Sequence, residues 1–228
     1  MDKIDYANDQ KWLQDRPSIT PSGFYGNSVN MIQARENFMT EEELEFLYSS
    51  ASNLKEWDIT ETHYNEDGVV IYDNKYWDGR VASRPILDKQ DPKISEVINN
   101  LVDRLKKEVD SFFNVNAVPT SPAIVRWPVG YEQQPHADKE LHIGEHAGKP
   151  NDFPYYDLAG LFYLNDDYQG GELYFPHQEL QFKPKRGAAY FFPGDKNFIH
   201  GVSPVTSGIR YVIPFFWTIA EHTGERKP

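Results

Sequence analysis

Cysteine is absent from all 228 residues, which removes disulfide scaffolds, thiolate zinc centres and cysteine nucleophiles together. Basic residues are scarce beside the acids. The 23 Lys and Arg against 35 Asp and Glu give a formal charge of -12, so a phosphate-tracking surface would have to form against the overall field. Nucleic acid is therefore not an expected partner. No stretch approaches about 18 consecutive apolar residues. The start, MDKIDYANDQKW, is acidic and polar where a secretory leader needs a basic start and an apolar run. A soluble, cytoplasmic protein without a membrane partner is the expectation. Repeats, heptads and linkers are missing as well. One domain is expected over 31–220, with an N-terminal arm at 1–30 and a tail at 221–228.

What is present suits a single buried core, with 39% hydrophobic and 14% aromatic residues. Thr40 followed by Glu43 forms a capping box, and Leu44, Leu47 and Tyr48 recur at helical spacing, which predicts a helix over about 41–53. Asp91-Pro92 opens a second helix whose Ile94, Val97, Ile98, Leu101, Leu105, Val109 and Phe112 form one stripe. From about residue 122 the pattern changes to short aromatic and β-branched runs between turn signals: "AIVRWPVG", "LAGLFYLNDDYQGG", "ELYFP", "GAAYFFPGD" and "RYVIPFFWT". Earlier strands and a loop are expected over 57–84. The fold class is mainly β, a sandwich or barrel buttressed by helices.

"WPVGYEQQPHADKE" sets His136 two residues before Asp138. Spacing alone is weak. Seven histidines in so acidic a chain give about one such pair by chance, and a second, His177 with Glu179, exists. That one follows a strand-ending proline and suits a solvated loop. In an extended segment, however, residues i and i+2 share a face, so His136 and Asp138 can grip one ion. His200, in "DKNFIHGVSPVTSGIRY", is the candidate third ligand. Two histidines and a carboxylate on one face of an octahedron suit non-haem Fe(II), with zinc as the competitor. Arg210 opens an otherwise apolar run, and a buried arginine needs an anion. Its fork matches a carboxylate, so a diacid chelating the metal at one end could be anchored at the other.

The order His136-Ala137-Asp138, His200, Arg210 resembles the iron ligands and cosubstrate anchor of the 2-oxoglutarate/Fe(II)-dependent dioxygenases, in their prolyl 4-hydroxylase-like branch. "RWPVGYEQQPHAD", "LFYLNDDYQGGELYFP" and "KPKRGAAYFF" are similar to that branch's other landmarks. The likeness runs over about 57–218 and is most specific over 124–217. It implies a double-stranded β-helix (jelly roll). It also implies Fe(II), 2-oxoglutarate and O2 as cofactors, with ascorbate as a candidate accessory, and Tyr163 and Arg210 at the cosubstrate's carboxylate. Gln133 stands where many prolyl hydroxylases carry tyrosine, Trp127 where tyrosine is common, and Arg210 where lysine is usual. Asp138 separates the chain from related halogenases, which have Gly or Ala there. The implied activity is hydroxylation of an unactivated C–H bond, on a peptidyl proline first and a free amino acid or small metabolite second. A non-catalytic jelly-roll module is the alternative from another class.

Arg80, Trp127 and Gln133 are the candidate substrate contacts, with Arg84 a weaker one. Arg80 and Arg84 lie in a stretch, "WDGRVASR", that resembles the family's substrate-covering loop. "HIGEH" at 142–146 fits an inverted zinc-peptidase pattern, yet Gly144, Gly148 and Pro150 oppose the helix that pattern needs, so a surface loop is expected. His63 and His222 read as surface histidines.

Overall fold

A computed structural model describes residues 28–59, 63–64, 70–72 and 75–219. The arm up to residue 27, the tail at 221–228 with His222, and the His63 side chain lie outside the described residues.

Thr40 starts helix α1 (Glu41–Ser52). Its hydroxyl accepts from the Glu43 amide while the Glu43 carboxylate accepts from the Thr40 amide, a reciprocal cap that contributes about 1 kcal/mol. Helix α2 (Arg84–Gln90) begins where the expected loop ends, in a stretch for which the sequence predicts no element. It carries one buried apolar side chain, Leu87, so no periodicity could register, and Ser83 followed by Pro85 is its start signal. Three helices, not two, therefore buttress the sheet. Asp91 caps α3 (Pro92–Phe113), and Asn114 in the left-handed region ends it. Its stripe buries Ile94, Ile98, Leu101, Leu105 and Val109, then closes on Phe113, while Phe112 stays exposed. No helix among the described residues is long and apolar enough to cross a membrane.

The strands are β1 (Gln33–Arg35), β2 (His63–Tyr64), β3 (Val70–Tyr72), β4 (Val81–Ala82), β5 (Ala117–Pro119), β6 (Ile124–Trp127), β7 (Gln133–His136), β8 (Leu158–Tyr163), β9 (Gln169–Gly170), β10 (Leu173–Phe175), β11 (Leu180–Phe182), β12 (Ala189–Pro193), β13 (His200–Val202), β14 (Val205–Ser207) and β15 (Arg210–Ile219). A large antiparallel sheet runs β1-β12-β8-β15-β6-β4, with β5 also on β15, and a smaller one runs β11-β10-β13-β7. The two enclose an interior to which both contribute, which is the double-stranded β-helix anticipated from the sequence.

Alternation along β15 assigns its side chains. Tyr211, Ile213, Phe215, Trp217 and Ile219 join the helices in one core with Phe162 and Phe191. Val212 turns the other way, to Trp127, Tyr163 and Tyr190, and Arg210 is in phase with it. Farther along, Phe192 of the large sheet meets Phe175 and Val202 of the small one. Leu161 and Phe182 pack against both inner clusters, so the interior is continuous.

Gly160 shows how tightly the helix side is filled. A Cβ there would lie 2.6 Å from the Phe215 ring and 2.8 Å from Trp217. Gly160→Ala is expected to lower stability by about 1–3 kcal/mol through overpacking, read as a lower denaturant midpoint at unchanged slope. Metal affinity should not change, since the site faces the opposite side of the sheet.

Candidate functional site

His136 is the last residue of β7 and His200 the first of β13, and strand register sets them directly opposite each other. Their ring centroids are 4.5 Å apart. Asp138, just past the strand, brings Oδ1 to 3.6 Å from His136 Nε2 and 3.7 Å from His200 Nε2. One donor atom from each of the three lies within 4.8 Å of the others. Each imidazole is oriented from behind. His136 Nδ1 is 2.9 Å from the Gln134 carbonyl and His200 Nδ1 is 3.1 Å from the Phe198 carbonyl. A carbonyl can only accept, so both rings carry the proton on Nδ1 and turn an Nε2 lone pair toward Asp138. Phe192 and Phe175 pack on the His200 ring and fix its plane.

Burial pushes the Asp138 carboxyl well above the usual carboxylate range. It pushes His200 well below the usual imidazole range, helped by the neighbouring His136, and lowers His136 too. Asp138 Oδ2 is buried without a hydrogen-bond partner. A dication answers all of this at once, by drawing on two neutral imidazoles and supplying the charge that an ionised buried carboxylate lacks. The residues therefore fit Fe(II) with positions left open for other ligands. Because a cation must displace the proton that burial favours on Asp138, Fe(II) uptake should release protons and weaken on acidification. Titration calorimetry in buffers of different ionisation enthalpy checks this; an identical heat in every buffer would contradict it.

Arg210 is 1% exposed. Its Nη2 donates to Tyr163 Oη at 2.8 Å, while Nε and Nη1 are buried with no hydrogen-bond partner. The guanidinium carbon lies 4.9 Å from the Tyr163 ring centroid and 5.3 Å from that of Trp127. Among the described residues no carboxylate pairs with it. Two unsatisfied charged donors in the interior are costly, and a carboxylate is the ligand whose geometry fits them. Trp127 Nε1 is likewise buried and unpartnered, while the Tyr168 hydroxyl lies near enough to Arg210 for the guanidinium to oppose the effect of burial on the phenol. Gly171, at φ +67°, makes the approach possible. A Cβ there would sit 3.0 Å from the Tyr168 ring and 3.1 Å from Arg210 Cδ, which explains why the "QGG" turn carries a second glycine. Burial raises the phenols of Tyr163 and Tyr168, so both stay protonated and able to donate.

Sequence reasoning thus named three residues that converge and two that pair in the interior. Tyr168 was missed, because an aromatic in an acidic turn has no signal of its own. Arg80, a candidate substrate contact on a loop, is held inside the protein. It is 2% exposed, boxed by the rings of Tyr76, Trp77, Trp127 and Tyr131 at 4.0–5.0 Å, and its Nε donates to the Tyr76 carbonyl at 2.7 Å. Trp127 is buried between that box and Arg210. Gln133 is half-buried on β7 with an unpartnered Oε1. Arg84, on α2, is exposed and pairs with Asp88 one turn on. Residues 142–146 form no helix, and His177 is exposed on a short 3-10 turn.

A jelly roll that ends one inner strand pair on a His/Asp/His cluster and buries an uncompensated arginine in the same interior has the makings of a non-haem Fe(II) oxygenase. Residues 123–218 match the family model of the 2OG-Fe(II) oxygenase superfamily. The matched stretch carries His136, Asp138, His200 and Arg210, and its likeness is to an oxygenase superfamily whose cofactors are Fe(II), 2-oxoglutarate and O2. Curated relatives include prolyl 3-hydroxylase 3 of Mus musculus, 33% identical over 100 residues covering 40% of this chain and 14% of that protein. Prolyl 3-hydroxylase 2 of Rattus norvegicus is 25% identical over 213 residues, 81% of this chain and 29% of that protein. The chain therefore spans under a third of each. Among solved structures, a Trichoplax adhaerens prolyl hydroxylase in complex with a hypoxia inducible factor peptide fragment aligns with TM-score 0.57 at 15% identity, over 99% of both chains. A viral collagen prolyl hydroxylase from Paramecium Bursaria Chlorella virus-1 aligns with TM-score 0.53 at 15% identity, over 82% of this chain and 95% of that one. At such identity these two speak for the fold.

Proposed function

We propose that this protein hydroxylates a peptidyl proline, using Fe(II), 2-oxoglutarate and O2 and releasing succinate and CO2. The observation that carries the reading is the pair of unsatisfied Arg210 donors in the interior that also holds the His/Asp/His cluster. His136, Asp138 and His200 would hold the iron, and Arg210 with Tyr163 would bind the far carboxylate of the diacid. When bound, that iron and diacid activate O2, so that one oxygen atom enters succinate and the other a C–H bond of the substrate. The chain's own share is placement: neutral imidazoles fixed by carbonyls, an anchored guanidinium, and buried phenolic donors. Trp127 lies against Arg210, and Arg80 and Gln133 are the candidate contacts on the substrate side. The named relatives by sequence and by fold are prolyl hydroxylases, which supports proline as the target residue.

The test is in two stages. Adding Fe(II) and 2-oxoglutarate without oxygen should develop the weak visible charge-transfer band of the chelate. With oxygen, a proline-containing peptide should stimulate succinate release and gain one oxygen atom, whose position on the ring, C3 or C4, is read by mass spectrometry and NMR. A protein giving no band would instead be a binding module, and stimulation by free proline alone would move the substrate to a small molecule.

A further inference from the structure

We propose that the buried Lys139–Asp157 ion pair is the positioning element that sets the Asp138 carboxylate for the metal; the proposal rests on the iron assignment above. Between Glu140 and Tyr156 the chain makes a long excursion on which only Pro154 is buried; its far end is held where Tyr156 stacks on Phe216 and the Thr218 hydroxyl donates to the Tyr155 carbonyl. Its two ends are Lys139 and Asp157, and they are joined to each other. Lys139 Nζ lies 3.1 Å from Asp157 Oδ1, with the side chains 7% and 1% exposed. Asp157 is itself fixed to the sheet. Its Oδ2 accepts from the Ile219 amide at 3.0 Å, its amide donates to the Trp217 carbonyl at 3.0 Å, and its carbonyl accepts from Gly194 N at 2.9 Å.

The other face of the same turn carries the metal ligand. The amides of Asp138 and Lys139 both donate to the Gly194 carbonyl, at 2.9 and 3.1 Å, and the Asn151 side chain donates to the Asp138 carbonyl at 3.0 Å. Gly194 must be glycine for this approach, since a Cβ would lie 2.2 Å from the Tyr156 carbonyl oxygen and 3.1 Å from Asp138 Cβ. Asp138 therefore sits on a short span held at Gly194 and tethered to β15 through Lys139. Both Asp157 oxygens are engaged, so neither partner of the pair is a metal ligand. Buried ion pairs seldom add stability over apolar residues of the same size, and their best-attested use is to fix geometry. Partners behind a metal ligand typically account for 10- to 100-fold in metal affinity.

Two variants test this: Lys139→Met, and Lys139→Met with Asp157→Asn, which leaves no unpaired charge and keeps an acceptor for the Ile219 amide. Anaerobic calorimetry should show each binding Fe(II) about 10- to 100-fold more weakly than the parent, while the double variant keeps its far-ultraviolet circular dichroism and cooperative unfolding. Lys139→Arg, which retains the pair, should restore most of the affinity. A double variant that binds Fe(II) within twofold of the parent, with only its unfolding midpoint moved, would overturn the positioning role. The iron assignment fails separately, if the parent binds no Fe(II) or if His200→Ala leaves binding unchanged.

Discussion

Asp138→Ala is expected to cut succinate formation by about a thousandfold or more and to leave the purified protein without retained Fe(II). The size follows from where the carboxylate stands. Outer partners of metal ligands already account for 10- to 100-fold in affinity, and Asp138 is the sole carboxylate of the cluster, within 3.7 Å of both His Nε2 atoms. The same change should not weaken the metal-free fold at neutral pH. Burial raises the folded-state pKa of Asp138 above its unfolded value. A group raised in this way contributes stability that is present below the unfolded pKa and is lost as pH rises through the folded one. At neutral pH, above the unfolded pKa, Asp138 thus adds no stability to the metal-free protein, and alanine removes the penalty of burying its carboxyl group. Activity assay and metal analysis of Asp138→Ala, beside thermal unfolding of both proteins without metal, separate ligand from scaffold. Activity within tenfold of the parent would remove Asp138 from the iron site.

The split between what the sequence discloses and what it hides has a physical basis. His136 and Asp138 are legible as metal-ligand types two residues apart, although Asp138 lies in the bend past β7 and not on the strand, and the helices α1 and α3 because their caps and stripes are local. His200 and Arg210 are 64 and 74 residues beyond His136, so no local rule joins them. They were found through chemistry, the need for a third ligand and for an anion opposite a buried arginine, and through the resemblance that orders them. The hidden parts depend on tertiary contact. Helix α2 has one buried apolar residue. Arg80 has the composition of a loop arginine, yet four rings from two stretches of chain close on it. Lys139 and Asp157 are 18 residues apart across a polar excursion, and nothing in either neighbourhood announces a partner.

Arg210→Met should raise the 2-oxoglutarate concentration for half-maximal activity by some 30- to several-thousand-fold while Fe(II) affinity stays within about threefold of the parent. Truncating one partner of a buried, hydrogen-bonded charge pair costs about 2–5 kcal/mol, and each 1.4 kcal/mol is about tenfold. Arg210 qualifies because Nε and Nη1 are buried without a hydrogen-bond partner, and a diacid carboxylate would supply charged acceptors for both. Iron is spared because a protonated guanidinium has no lone pair to give a metal, and the converging donors are His136, Asp138 and His200. Arg210→Lys should fall between the two proteins, since it keeps the charge but loses the fork and the link through which Nη2 holds Tyr163 Oη. Without 2-oxoglutarate, Arg210→Met should be no less stable than the parent, because methionine fills a buried space where the arginine left two donors unsatisfied. Adding 2-oxoglutarate with a redox-inert divalent metal should then raise the melting temperature of the parent and not of the variant, as expected when a ligand binds the native state alone. Equal 2-oxoglutarate dependence in the two proteins would place the cosubstrate's carboxylate elsewhere and leave the buried guanidinium to structure.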